Sequence, residues 1–277
     1  MKKITILFLL SLASLNLFSQ TDSTTTKTGR VWKHLKYDAG ITLKSVGHSF
    51  TQPLKWKSDD FITAGGILAG TTLLYLSDEQ ANPVFIKQGS GAPKIVKDFG
   101  WYFGSPQNFF MVSTGIYGFG LLTDNEKVRH TGILIFSSAI TTGLIQSISK
   151  TVVGRARPNS GDYNEFEPFS NKPGFHSFPS GHSVLSFTMA HAIAKQFDNF
   201  WVKAGIYAVG SIAPISRLWE NAHWLSDVGL GMAISVVVVD GIENFMTKNN
   251  FYNTAKPKTI SWRISAGAGT IGLTGTF

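Results

Sequence analysis

Three short stretches of this 277-residue sequence place cationic or imidazole side chains at the ends of apolar segments. In the first, KTVVGRARP, Lys150 closes one segment and Arg157 follows seven residues later, directly before Pro158. Proline disfavours helix at the preceding residue, so we expect both cations at one mouth of a helical bundle. Simple charge capping of a helix C-terminus is the alternative for this stretch alone.

The second stretch, PSGH at residues 179–182, stands where an apolar helix is expected to begin. The first N–H groups of a helix lack partners within it, and Gly181 lets an anion approach them closely. His182 falls in the first turn and adds a proton donor beside this anion site. Taken alone, an ordinary helix N-cap by Ser180 is the simpler explanation.

The third stretch, SRLWENAHWLSD, ends one segment with Arg217 and begins the next. His223 and Asp227 lie four residues apart, so one helical face carries both. The carboxylate can accept the Nδ1–H of the imidazole and leave Nε2 as a nucleophile or base. A surface hydrogen bond is the alternative for such a pair alone.

Taken together, the three stretches predict a phosphate site. Lys150, Arg157 and Arg217 would neutralise a phosphate and stabilise the charge that develops during transfer. The acids of the connecting loop lack histidines at metal-ligand spacing, so we expect no metal site and no cofactor. The predicted chemistry is metal-free phosphoryl transfer through a phosphohistidine.

Six apolar segments without strict alternation predict six helices that position these residues. They are residues 61–77, 99–123, 131–149, 183–194, 204–216 and 228–239. The connection 151–179 contains several Pro and Gly residues and is predicted to be a functional loop. The C-terminal tail covers residues 247–277, and from Lys256 onward it has partial alternation that is typical of one or two strands.

The N-terminus has the pattern of a secretory signal peptide over residues 1–20, with two lysines before an apolar run. An uncleaved membrane anchor is the alternative. Residues 21–60 mix lysines with aromatics, which suits either a segment on an anionic surface or a solvated lead-in to the domain at 61–246. The net charge of +8 favours acidic partners, and the absence of cysteine excludes disulfides and thiolate metal sites.

The three stretches resemble, in order and without gaps, the motifs of the type 2 phosphatidic acid phosphatase and vanadium haloperoxidase superfamily. No motif position departs from the family pattern, and the resemblance covers residues 60–246. It implies an all-α helical bundle in which His223 is the nucleophile, Asp227 its orienting partner and His182 the acid that protonates the leaving oxygen. It further implies a phosphate-binding set of Lys150, Arg157, Ser180, Gly181 and Arg217.

The resemblance predicts a phosphatase that hydrolyses phosphomonoesters or diphosphates, with a lipid such as phosphatidate, a polyprenyl diphosphate or a lipid A phosphate as substrate. The alternatives are a haloperoxidase, with vanadate in the phosphate site, and a non-catalytic phosphate- or lipid-binding envelope protein. We expect membrane association and no nucleic-acid partner. The sequence does not identify the specific substrate or the oligomeric state.

The distribution of Lys and Arg and the predicted signal peptide give opposite predictions for the side of the membrane on which the site lies. If all six segments cross, 15 Lys and Arg lie on the N-terminal side and 8 on the side of the site, which places the site outside the cytoplasm. A cleaved signal peptide followed by six crossings places it inside. The last three uncharged segments are also short against the roughly 20 residues that a span needs. We predict an envelope location with an extracytoplasmic site and leave spanning open.

Overall fold

The computed structural model describes residues 27–253, 261–267 and 270–276. The predicted signal peptide lies outside the described residues. The described helices are α1 (Lys27–Thr51), α2 (Ser58–Gly91), α3 (Lys94–Phe103), α4 (Pro106–Leu122), α5 (Glu126–Val153), α6 (Gly181–Ala194), α7 (Phe200–Trp219) and α8 (Leu225–Lys248). Two strands, β1 (Ser261–Gly267) and β2 (Thr270–Thr276), form an antiparallel hairpin. The all-α class is confirmed, and the hairpin falls in the tail that was predicted to be β-like.

The predicted number of six helices is wrong for the described part of the chain, which contains eight. The segment 99–123 is broken at Ser105, whose extended backbone (ψ 140°) is followed by Pro106 at the first position of α4. Proline suits this position because its missing N–H would have no partner there. Residues 27–51 form α1, and α2 continues well beyond the predicted end at residue 77.

The hydrophobic core lies where α5, α6 and α8 meet. Leu134 and Ile135 of α5, Met189 of α6 and Ile242 of α8 are each at most 2% exposed. Burying a side chain of this size stabilises the fold by about 1.5–3 kcal/mol. The core therefore fixes the three helices that carry Lys150, His182 and Asp227.

The direction of successive helices brings the three motif stretches to one end of the bundle. Helix α5 ends there with Lys150, and α6 begins there with Gly181 and His182. Helix α7 ends there with Arg217, and α8 begins there two residues after His223. Antiparallel succession thus places residues distant in sequence around one mouth.

The opposite end of the bundle holds a second buried polar cluster, which attaches α1. The carboxylate of Asp38 in α1 lies 2.9 Å from Arg129 Nε and accepts hydrogen bonds from Tyr117 and Tyr252. His130 belongs to the same end of the bundle; it is 2% exposed, and its Nε2 lies 3.0 Å from Glu243 Oε2. An apolar surrounding makes such pairing necessary for buried polar groups.

Three helices of the described chain are long and apolar enough to cross a membrane: α2, α5 and α8. The apolar window of α2 has none of its residues buried within the protein, and it exposes Phe61, Leu68 and Leu73. An exposed apolar surface of this length suits a lipid environment. The protein is therefore membrane-associated.

Candidate active site

A cavity of about 560 Å³ opens at the end of the bundle where the three stretches meet. Six of the eight predicted site residues line it: Lys150, Arg157, Gly181, His182, Arg217 and His223. The other two, Ser180 and Asp227, lie directly behind it, and Ser180 N donates to the backbone oxygen of Asp227 at 3.0 Å. The structure thus brings all eight residues together.

His223 lies in the loop before α8 and is 3% exposed. Its Nε2 lies 3.1 Å from Arg157 Nη1, and its Nδ1 lies 3.4 Å from Asp227 Oδ2. Arginine only donates hydrogen bonds, so Nε2 accepts and the proton belongs on Nδ1, facing the carboxylate. Burial lowers the pKa of His223 to about 4. The hydrogen bond and charge of Asp227 raise this pKa in part, and the positive charges of Arg157 and Lys150 lower it further. The imidazole is therefore neutral at ordinary pH.

Asp227 is fully buried in the first turn of α8. Its Oδ2 accepts hydrogen bonds from Trp224 N at 2.9 Å and from the hydroxyl of Ser177. Its Oδ1 accepts from Arg155 Nη1 at 2.9 Å. With both oxygens held, the carboxylate has one orientation toward His223.

His182 stands in the first turn of α6 and lines the same cavity as His223. Its Nε2 is buried and has no hydrogen-bond partner within the described part of the protein. Buried polar atoms almost always have a partner, so this nitrogen is available to a ligand. Gly104 permits the placement, since a Cβ there would lie 2.8 Å from the Cβ of His182.

Lys150 and Arg157 are held by backbone carbonyls and not by carboxylates. Lys150 Nζ donates to His176 O, and Arg157 donates to the carbonyls of Pro173, Ala222 and His176 at 3.0–3.2 Å. The ion pairs of the described residues include neither cation. Burial lowers the pKa of Arg157. Buried positive charge without a counter-charge is costly, so the cavity favours an anion.

Arg217 is more fully compensated. Its Nη2 lies 3.1 Å from Glu220 Oε2, and its guanidinium carbon lies 4.7 Å from the ring centroid of Trp101. Trp101 also contacts the imidazole of His182, with the ring centroids 5.5 Å apart. Arg217 is thus oriented over the cavity by an aromatic face and a carboxylate.

The N-terminus of α6 shows both features predicted from the sequence. Ser180 is the N-cap, and its hydroxyl accepts from Ser183 N at 3.5 Å. Gly181 lines the cavity, and a Cβ there would lie 2.7 Å from Gln146 Nε2. The cap and the close approach of the backbone to the cavity therefore coexist.

Sequence reasoning missed several residues around the site. Arg155 stands two positions before Arg157 in the first stretch, and Asp78 is the first of two adjacent acids at the end of an apolar run; both signals were present. Ser177 and Trp101 carry no comparable signal, because only the fold brings them to the site.

The sequence matches a family model described as PAP2 superfamily over residues 131–251. It is 30% identical to the lipid A 1-phosphatase of Rhizobium etli over 195 residues, covering 65% of this chain and 81% of that protein. It is 30% identical to the lipid A 1-phosphatase of Rhizobium johnstonii, covering 65% and 77%. The solved structure of a transmembrane PAP2-type phosphatidylglycerolphosphate phosphatase from Bacillus subtilis is 19% identical, covering 66% of this chain and 95% of that one, with a TM-score of 0.49.

Proposed function

Because the chain belongs to the PAP2 superfamily and is a phosphatase, we propose that it removes phosphate from a lipid through a covalent phosphohistidine at His223. The observation that carries the proposal is a buried neutral imidazole whose Nε2 faces Arg157, beside a second cation, Lys150, that also lacks a carboxylate partner. A phosphate group would supply the missing counter-charge and bring its phosphorus to the nucleophile.

In the first step, Nε2 of His223 attacks phosphorus and the bond from phosphorus to the lipid oxygen breaks. His182 donates a proton to the departing oxygen, a role supported by its unpartnered Nε2 at the cavity. Burial and the charge of Arg217 lower the pKa of His182 to about 3 in the free protein, so this role requires the negative charge of the bound phosphate to raise that pKa. Lys150, Arg157 and Arg217 stabilise the negative charge on the phosphoryl oxygens, together with the N-terminus of α6. Asp227 stabilises the positive charge that develops on the imidazole.

In the second step, water attacks the phosphoryl group, and the bond between nitrogen and phosphorus breaks. His182, now unprotonated, accepts the proton of this water and returns to its initial state. Inorganic phosphate leaves the cavity. Three cations and a helix N-terminus provide the charge stabilisation that a metal ion provides in other phosphatases, so we propose that the reaction needs no metal and no cofactor.

For the substrate, we propose a lipid A type phosphate. The two Rhizobium relatives carry that activity in their names and match this chain over most of their length. A cavity of about 560 Å³ is large enough for a phosphate and the adjoining part of a head group. Because the exposed apolar face of α2 suits contact with lipid, the acyl chains of the substrate can remain in the bilayer while its phosphate enters the cavity.

We propose that the protein resides in the cell envelope with the cavity outside the cytoplasm. If the six apolar segments of the sequence cross, 15 Lys and Arg lie on the side opposite the site and 8 on its own side, which supports this orientation. Helix α8 adds support for spanning, since it reaches 24 residues and is apolar enough to cross a membrane, whereas its uncharged core looked too short.

The test is phosphate release by purified His223→Asn protein from a panel of lipid A, phosphatidate, polyprenyl diphosphate and a soluble phosphomonoester. Removing the nucleophile should lower kcat by about 10³-fold or more. His191→Asn is the matched control, because His191 is also a buried imidazole paired with a carboxylate, Asp240, but does not line the cavity. Full activity of the His223 variant would refute the proposal.

A further inference from the structure

A buried cluster of charged and hydroxyl side chains lies directly behind the cavity. Asp78 of α2, Arg155, and Ser226 and Asp227 of α8 are each at most 1% exposed. Arg155 lies between the two carboxylates, with Nη2 2.8 Å from Asp78 Oδ2 and Nη1 2.9 Å from Asp227 Oδ1. None of the four lines the cavity itself.

Every N–H group of the Arg155 guanidinium donates to an acceptor within the protein. Nη1 also donates to Ser226 Oγ at 2.7 Å, while Nε and Nη2 donate to Tyr163 O at 3.1 and 2.9 Å. The ring centroids of Tyr75 and Trp224 lie 4.8 and 5.4 Å from the guanidinium carbon. Unlike Arg157, Arg155 therefore has no N–H left for a phosphate.

Asp78 receives three hydrogen bonds, the pattern of an ionised carboxylate. Besides Arg155, its donors are Ser226 N at 2.9 Å and the hydroxyl of Ser226. Ser226 immediately precedes Asp227, so Asp78 holds both the backbone beside Asp227 and the arginine that binds it. Asp78 lies well before residues 131–251, which match the family model.

The net charge of Asp78, Arg155 and Asp227 indicates what this arrangement does. Arg155 alone would neutralise the carboxylate of Asp227, and nothing would remain to balance the positive charge that develops on His223. The second carboxylate leaves the three groups with one net negative charge, next to the imidazole. We propose that Asp78 and Arg155 are positioning residues that fix the Asp227 carboxylate and preserve its charge for His223, an inference that rests on the proposed function.

The test compares Asp78→Asn with Asp240→Asn, which alters a carboxylate paired with His191 and Lys195 away from the cavity. We expect Asp78→Asn to lower kcat by about 10- to 100-fold with KM unchanged, since outer groups orient the reacting ones without binding phosphate. Asp240→Asn should keep wild-type kinetics. Arg155→Lys retains the charge but not the five-donor fork, so its kcat should lie between those of wild type and Arg155→Gln.

A second readout is the titration of the His223 imidazole by NMR in the full-length protein. Asp78→Asn removes a negative charge and should lower the pKa of His223, whereas Arg155→Gln removes a positive charge and should raise it. Shifts of the His223 pKa in opposite directions support the proposal. A purely structural role of Asp78 and Arg155 would not produce such opposed shifts. Unchanged kcat and unchanged titration in a folded Asp78→Asn protein overturn it.

The two proposals fail separately. If wild-type protein releases no phosphate from any substrate, the proposed function fails, and the opposed NMR shifts still decide the positioning role. If Asp78→Asn does not fold, the comparison of Arg155→Gln with wild type decides it by the same two readouts. Equal kcat and equal titration in those two proteins would overturn the inference.

Discussion

Three buried histidines in the described part of the chain, His130, His191 and His223, have carboxylate partners, and of these His223 lines the cavity. His191 Nε2 lies 3.1 Å from Asp240, and its Nδ1 is bonded to the hydroxyl of Tyr207, so both ring nitrogens are occupied within the bundle. His223 directs Nδ1 to Asp227 and leaves Nε2 against a cation at the cavity. The surroundings of an imidazole, more than its pairing, decide whether it is available for chemistry.

We predict that acid inactivates the enzyme by protonating His223. Its pKa is lowered to about 4, so kcat/KM should fall as the pH drops through that value, while the need for a protonated His182 limits the rate on the alkaline side. Arg157→Gln removes a neighbouring positive charge, so the acid limb should move to higher pH while kcat falls about 10²- to 10³-fold. The measurement is the pH–rate profile of both proteins on one substrate, whose own ionisation is common to both. Acid limbs at the same pH would show that Arg157 does not act on His223.

At this scale the sequence predicts much of the site, because the chemistry requires particular residue types at particular helix ends. All eight predicted residues meet at one cavity. Arg155 and Asp78 were not predicted, because an arginine that binds phosphate and one that binds a carboxylate look identical in a sequence. Their difference lies in the partners that folding supplies.

Gly154 governs the change from helix α5 to the loop that carries Arg155 and Arg157. It is the C-cap of α5 in the left-handed region (φ 58°, ψ 42°), and a Cβ there would collide with the backbone oxygen of Glu167. A left-handed backbone costs a non-glycine residue about 1–2 kcal/mol before any collision. The direction of the loop, and with it the spacing of Lys150 and Arg157, depends on this residue.

We predict that Gly154→Ala destabilises the protein by about 2 kcal/mol or more and lowers activity by displacing the loop. Gly143→Ala, in the interior of the same helix with open space at its Cβ, should instead stabilise by about 0.5–1 kcal/mol. Thermal unfolding in detergent, together with kcat, measures both effects. A Gly154→Ala protein as stable and active as wild type would contradict the role given to this cap.

Helix boundaries far from the three motif stretches were predicted less well than the boundaries beside those stretches. The stretch GSPQN at residues 104–108 interrupts the apolar segment 99–123 and marks the break at Ser105–Pro106, but the prediction of one helix passed over it. Helix α1 is rich in polar and basic residues, and its helical state depends on burying Ile41 and Asp38 against distant segments. Tertiary contacts of this kind cannot be deduced from local composition.

At the scale of the whole molecule, the cavity and α1 lie at opposite ends of the bundle. The chain contains no cysteine, so single cysteines report on each end separately. In spheroplasts, a membrane-impermeant maleimide should label Ser160→Cys beside the cavity and leave Lys36→Cys on α1 unlabelled until the membrane is permeabilised. Both positions are exposed in the folded protein. Labelling of Lys36→Cys alone in intact spheroplasts would reverse the proposed orientation.

The central claim is that His223 becomes phosphorylated during turnover. The most direct measurement mixes wild-type protein rapidly with excess lipid phosphate, denatures it in alkali, and locates the phosphoryl group by peptide mass spectrometry. We predict one acid-labile phosphoryl group on His223, absent from His223→Asn. A phosphoryl group on another residue, or turnover that persists in His223→Asn without any adduct, would contradict the account.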